Sequence, residues 1–252
     1  MRIPRGFGAA LTGAAIATLA ISGLAAASHP GGYSLFGDAD YAEGNASARS
    51  VQLRSDPGFG GIDFDIAAGT TFADLDSLAT DYWFEPDDSC GGGSPRFQVN
   101  VDSGSGDTGN IFVYIGPPPN YTGCLSDDWL STGDLLEGAN PIDTSQLDLG
   151  AFYDPYATAL AKYGDYEVTG VQLVVDGGWA FGDLEQTARV DNTDIAGHVY
   201  TYEVPQPESS DDCKDGGWME LADDEGNTFR NQGLCIKYAQ GAGDGGGADG
   251  IE

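Results

Sequence analysis

The chain reads as all-β: an antiparallel β-sandwich followed by a small C-terminal module, a β-hairpin closed by a disulfide. Three observations carry this. About nine short segments are apolar on alternate residues or β-branched throughout. Clusters of Gly, Pro, Asn and Asp separate them at short intervals, and a single segment carries helix signals. A closed barrel has the same pattern and stays open at this point.

Residues 1–27 read as a signal peptide. Arg2 and Arg5 form a positive start, residues 11–24 are apolar, and Ala25-Ala26-Ala27 fits a small-residue cleavage site. The mature chain is expected to start near Ser28 and to be secreted or cell-surface associated, soluble and monomeric. The apolar run is too short to favour a membrane span, and no adjacent arginine pair directs it to the twin-arginine route. No later run is long enough to cross a bilayer, so no membrane insertion is expected after signal removal.

The sandwich is expected over 28–204. Residues 28–45, rich in Gly, Ala and Ser, read as a loose leader or a first edge strand. Residues 47–55 alternate Val51 and Leu53 with Gln52 and Arg54, and Ile62, Phe64 and Ile66 alternate with Asp63 and Asp65. Residues 70–84 read as a short strand or one helical turn, then a strand through Tyr82-Trp83-Phe84. Phe97, Val99 and Val101, then Ile111, Val113 and Ile115, mark a hairpin around a polar Gly/Ser turn. Gly116-Pro117-Pro118-Pro119 breaks the sheet, and a long loop holding Trp129 runs to Asp143.

Residues 153–163 are the helix, with Asp154 as N-cap, Pro155 at the first helical position and Gly164 beyond the end. Val168, Val171, Leu173, Val174 and Val175 form the densest β-branched run, expected as a buried strand. It ends at a turn with Trp179. A return strand over 184–191 and a last one over 199–204 follow. Residues 205–212 are a linker by composition, 213–240 the small module, and 241–252 a Gly- and Asp-rich tail expected to be disordered.

The formal charge is −30; without Arg2 and Arg5, 8 basic residues face 40 acidic ones. Such a surface repels phosphates and anionic headgroups, which argues against nucleic acid and acidic membranes. It suits a highly soluble protein, with only Lys162, Lys214 and Lys237 as lysines, a balance compatible with high salt. Four cysteines in an exported chain imply disulfides, and of three pairings the chain order favours Cys90–Cys124 and Cys213–Cys235. Each short loop so closed is worth about 3–4 kcal/mol in the chain-entropy model. Zinc fits less well, for no Cys-x-x-Cys spacing occurs and the histidines are His29 and His198 alone.

Val190-Asp191-Asn192, closing a strand before a short final one, is similar to the closing segment of galactose-binding-like jelly rolls, a fold shared by many carbohydrate-binding modules. The resemblance implies a jelly-roll-like sandwich and a structural calcium held by Asp191, with Asp63 or Asp65 as a partner oxygen. Sugar rings stack on flat side chains, so Trp83, Trp129, Trp179 and Tyr121, at loops and strand ends, are the candidate ligand-binding residues. The bland reading makes these aromatics anchors of the core and the loops. Cys213-Lys214-Asp215-Gly216-Gly217-Trp218 and Phe229-Arg230-Asn231-Gln232-Gly233-Leu234-Cys235-Ile236 resemble a short cysteine-closed module at the ends of many secreted bacterial proteins, with Ile236 for the usual Val. That resemblance implies export and no established activity.

No catalytic residue is assigned. His198 reads as a strand-end residue, and no Gly-x-Ser-x-Gly elbow occurs. Among 40 acids some pair always fits a glycosidase spacing, so such a pair carries no information. Gly91-Gly92-Gly93 lacks the lysine of a phosphate loop. The sequons at Asn45 and Asn120 matter only in a host that glycosylates them. The expected function is non-catalytic binding of a glycan or cell-surface polymer. A glycan-active hydrolase or lyase on the same fold, and an envelope protein without a small ligand, are the alternatives.

Overall fold

A computed structural model describes residues 32–45, 47–56, 58–137, 140–176, 185–223 and 227–242. The expected signal peptide (1–27), Trp179 and the tail from residue 243 lie outside the described residues.

The chain forms β1 (Tyr33–Ala42), β2 (Ser50–Arg54), β3 (Phe59–Phe64), β4 (Leu78–Phe84), β5 (Arg96–Asp102) and β6 (Thr108–Tyr114). It continues with β7 (Leu130–Ser131), β8 (Pro141–Ile142), β9 (Asp154–Pro155) and α1 (Tyr156–Tyr163). Then come β10 (Glu167–Asp176), β11 (Thr187–Ile195), β12 (His198–Tyr200) and α2 (Gln232–Ala242). Ten strands make one curled antiparallel sheet in the order β6-β5-β10-β3-β1-β2-β11-β4-β7, with β12 beside β11. The path ends at β6 and β7, so the sheet folds into a sandwich and does not close as a barrel.

The corner is β1. Its first half pairs with β3, from Tyr33↔Phe64 to Gly37↔Gly60, and its second half pairs with β2, from Asp38↔Arg54 to Ala42↔Ser50. Gly37 sits at the switch with φ +65, and a Cβ there would lie 2.2 Å from the Phe59 carbonyl oxygen. The segment expected as a leader or edge strand therefore joins the two halves of the fold. Its composition hid this because β1 is held by ladders on both sides while its side chains stay half-buried or exposed.

Alternation sends one face of each long strand inward. Val51, Leu53, Ile62, Phe97, Val99, Ile111, Val171, Leu173, Val175 and Val190 are all fully buried in one cluster. The β-branched run is a central strand, β10, between β3 and β5, as its composition requires. The expected hairpin forms as β5–β6, in register from Arg96↔Tyr114 to Asp102↔Thr108. Residues 70–84 take the helical turn and then the strand: a 3₁₀ turn, Phe72–Asp74, precedes β4. The Asp74 carboxylate accepts the Thr71 N–H and hydroxyl, both at 2.8 Å, which stabilises the turn.

The helix α1 begins at Tyr156, with Pro155 in the cap position, one residue later than expected. Asp154 does not cap it. Its carboxylate accepts the Thr144 hydroxyl at 2.7 Å and the Lys162 ammonium at 2.6 Å, tying the preceding loop to the helix's last turn. Ala159 and Tyr163 pack α1 onto the core.

Both expected disulfides are formed, Cys90–Cys124 and Cys213–Cys235. The first joins the approaches to the β5–β6 hairpin; such bonds persist in oxidising compartments. Among the described residues no helix is long and apolar enough to cross a membrane. The C-terminal unit corrects the hairpin expectation. Its second half, Gln232–Ala242, is the helix α2, and pairing among the described residues is reduced to a single bridge, Ala222↔Thr228. Cys235 lies on that helix, so the disulfide clips a helix to the 3₁₀ segment after Cys213. Trp218, Phe229 and Ile236 pack around the cystine as its own small cluster.

Candidate functional site

The registers place side chains in rows across the outer face of the β5–β10–β3 half. One row reads Phe112–Gln98–Gln172–Asp63–Ser34, each neighbour directly paired across the ladder. The adjacent row reads Tyr114–Arg96–Val174–Gly61–Phe36. These positions face outward because Phe97, Val99, Leu173 and Ile62, between them, go to the core.

The first row is hydrogen-bonded along its length. Gln98 Nε2 donates to Gln172 Oε1 at 2.9 Å and to Asn100 Oδ1 at 3.4 Å, and Gln172 Nε2 donates to Asp63 Oδ1. Gln98 Oε1 and Asp63 Oδ2 keep no protein partner among the described residues. The line is thus a polarised chain of amides ending in a carboxylate, with acceptor oxygens left over for a donor ligand.

Beside it runs a groove of about 420 Å³, walled by Phe36 and Phe59 and floored by Arg96, Gln98, Gln172 and Val174. Gly61 makes the wall: a Cβ there would lie 2.3 Å from the Phe36 ring, so glycine lets the ring lie against the strand. Phe36 and Phe59 pair at 5.9 Å between centroids, and Phe59 is 53% exposed. The cation of the groove is already neutralised. Arg96 is buried, pairs with Asp176 at 2.6 Å, donates to the Gly93 carbonyl at 3.0 Å and lies over Phe112. A groove with one aromatic wall of two rings tilted by 49°, neutral amides and a compensated ion pair suits an uncharged ligand rich in hydroxyls.

The sequence-predicted residues lie elsewhere, with one exception. Asp63 is in the row. Trp83 is on the opposite outer face, where the Arg189 guanidinium stands 4.5 Å from its ring centroid. Trp129 is half-buried in the loop before β7. Tyr121 is buried, with its hydroxyl on the Pro141 carbonyl at 2.7 Å and its ring stacked on Tyr153 at 6.2 Å. Burial and the neighbouring Tyr153 push its hydroxyl pKa up to about 12. Tyr121 lines a second cavity, of about 410 Å³, between β6 and the β4–β7 edge. The structure does not gather the predicted aromatics into one platform.

The calcium set is not assembled either. Asp191 is fully buried, and hydrogens already point at it: Asn45 N–H at 2.8 Å and Ser47 hydroxyl at 2.7 Å on Oδ2, Asn192 N–H at 2.8 Å on Oδ1. Burial pushes its pKa up, against the lowering effect of those bonds. Asp63 on β3 and Asp65 just after it share no hydrogen-bond partner with it among the described residues, and β1 and β2 separate β3 from β11. Calcium takes six to eight oxygens, and among the described residues no group of three or more His, Cys, Asp or Glu side chains is placed to hold a metal ion. The residues named for calcium do not fit it in this arrangement.

Sequence reasoning missed Phe36, Phe59, Arg96, Gln98 and Gln172. One signal was present: Gln172 interrupts the most hydrophobic run of the chain, and Gln98 takes the outward position of its strand. What joins them is the β5–β10 register, a non-local property.

No known protein family and no curated protein matches the chain. Two solved structures are similar in shape. One is an exo-beta-agarase, with TM-score 0.35 and 12% identity, covering 65% of this chain and 23% of that one. The other is an agarase, AgWH50C, with TM-score 0.32 and 12% identity, covering 64% and 23%. This chain thus spans under a quarter of the length of either neighbour.

Proposed function

We propose that the protein binds a neutral glycan, without catalysis, across the outer face of its β5–β10–β3 half. The observation that carries this is the bonded line Gln98–Gln172–Asp63 beside the Phe36–Phe59 wall. The amide and carboxylate oxygens take sugar hydroxyls, and the phenyl rings take the C–H face of a ring. The paired positions from β6 to β1 span four strand spacings, about 19 Å, which favours a polymer over a single sugar. A charge of −30 repels polyanions, so the glycan is uncharged.

Affinity electrophoresis in gels containing neutral polysaccharides, with an anionic one as control, tests the reading. Wild type is expected to be retarded by at least one neutral polymer. The Gln98→Ala, Gln172→Ala double variant should lose about 10-fold or more in affinity, since two hydrogen bonds of about 1 kcal/mol each are removed. Retardation that survives this change unaltered would refute the site.

A further inference from the structure

A second cavity lies between the two free ends of the sheet. It is lined from β4, β6 and β7 by Tyr82, Tyr114, Leu130 and Ser131, and roofed by loop residues that include Tyr121 and Asn140. One residue in five of this chain is charged, yet among the described residues no Asp, Glu, Lys or Arg lines the cavity. The Cys90–Cys124 disulfide holds its outer wall in place, since Cys124 is part of the lining. Tyr121 and Tyr114 are not free to hydrogen-bond a ligand, because their hydroxyls are committed to the Pro141 carbonyl and to Asp143. Their rings meet at 5.3 Å and are fixed as walls.

Three polar side chains remain. Neither the Tyr82 hydroxyl nor the Asn140 amide has a protein partner among the described residues, the Ser131 hydroxyl only accepts the Gly133 N–H at 3.4 Å, and all three residues line the cavity. Burial raises the pKa of the Tyr82 hydroxyl, which keeps it a neutral donor. Fixed tyrosine rings, two hydroxyls, one amide and no charge among the described lining residues of about 410 Å³ match an uncharged polyhydroxylated ring. An ionic ligand has no counter-charge there, and a purely apolar one leaves the amide unpaired.

We infer that this mouth cavity is a second binding site, for a single neutral sugar unit, separate from the face across which a polymer is proposed to lie. Apart from Tyr114, which ends a row on the sheet face and whose ring walls the cavity, the two sites use different residues, so each reading fails alone.

The test is calorimetric titration of the full chain with D-glucose, D-galactose, D-mannose, D-xylose and N-acetyl-D-glucosamine, with D-glucuronate as the charged control. At least one neutral sugar should bind, and glucuronate should not. Tyr82→Phe and Asn140→Ala should each weaken binding by about tenfold. Ser131→Trp, at an exposed position whose new ring fills the cavity, should abolish it, with circular dichroism confirming the fold. The Gln98→Ala, Gln172→Ala variant should bind as wild type. No binding by any neutral sugar overturns the inference. So does binding that survives Ser131→Trp, and so does binding lost only in the double glutamine variant, which would place the sugar on the sheet face.

Discussion

On the outer face of the β2–β11–β4 half, one row of paired positions reads Trp83–Arg189–Gln52–Asp40. On the opposite outer face the row through the groove reads Phe112–Gln98–Gln172–Asp63–Ser34. Both alternate with the same core, and both mix an aromatic ring with polar side chains. They differ in how the polar groups are satisfied. On the first face Arg189 covers Trp83 and donates to Gln52, and Arg54, beside that row, holds Asp38 through two bonds and Asp40 through a third. On the second, neutral amides bond to one another and leave acceptors over. A ligand reaching the first face must displace a cation from a ring or a carboxylate, and that desolvation is costly. A ligand reaching the second meets neutral amides and the open acceptors of Gln98 and Asp63, with no cation to displace from that row. Composition alone does not make a binding face; the state of its partners does.

The corner between the faces is where the comparison can be broken outright. Gly37→Ala puts a Cβ 2.2 Å from the Phe59 carbonyl at a φ of +65. Left-handed strain of about 1–2 kcal/mol adds to the cost of moving β3. A loss of about 3 kcal/mol or more in denaturant unfolding is expected. A loss under about 1 kcal/mol would mean that β1 does not need this switch to serve both halves.

The next largest contrast is in binding. Trp83→Ala should leave retention by a neutral polysaccharide within about twofold of wild type, because Arg189 already covers the ring. Phe59→Ala should weaken it about 5–10-fold, since an exposed ring contact of about 1 kcal/mol is lost. The reverse order would move the binding face to the tryptophan side.

The fold was legible where its causes are local. Alternation marked β2, β3, β5 and β6, the aromatic cluster Tyr82-Trp83-Phe84 marked β4, the β-branched run marked β10, and chain order marked both disulfides. It failed where the cause is pairing. Tyr33 to Ala42 has too few buried side chains to announce a strand, because its ladder partners hold it. The module's α2 stands where a hairpin strand is expected, and its helix has little apolar face to announce it in the sequence. The site was legible least. Aromatic residues stood out in the sequence, whereas glutamines became visible only when β5 and β10 were set side by side.

Acid separates the faces in a further way, because two carboxylates on the Trp83 side shift in opposite senses. The Arg54 guanidinium holds Asp38 below the usual range. Its contribution is present above the unfolded pKa of about 3.9 and is lost as pH falls through the lower folded value. Burial holds Asp191 above that range. Its contribution is present below about pH 3.9 and is lost as pH rises through the folded value. Melting temperatures between pH 2 and 6 should therefore show Arg54→Ala reducing the stability lost in acid. Asp191→Asn should flatten the opposite trend while lowering stability at neutral pH by about 1–3 kcal/mol, because an amide cannot accept all three of its donors. Identical pH profiles in wild type and Asp191→Asn would remove the buried carboxylate from this balance.

The smallest effect is the response to salt, and it differs between the faces. Arg54 and Asp38 are both partly exposed, so their attraction is screened once the Debye length falls to about 3 Å near 1 M salt. Arg54→Ala should lower the melting temperature by no more than about 2 °C in dilute buffer and leave it unchanged in molar salt. The Gln98–Gln172 bond is between neutral groups, so any cost of Gln172→Ala should be the same at both ionic strengths. The whole chain, at −30, should melt higher in molar salt than in dilute buffer as self-repulsion is screened. An Arg54→Ala deficit that persists in molar salt would mean that this arginine acts through packing of its stem. The Trp83 face would then owe its closure to contact rather than to charge.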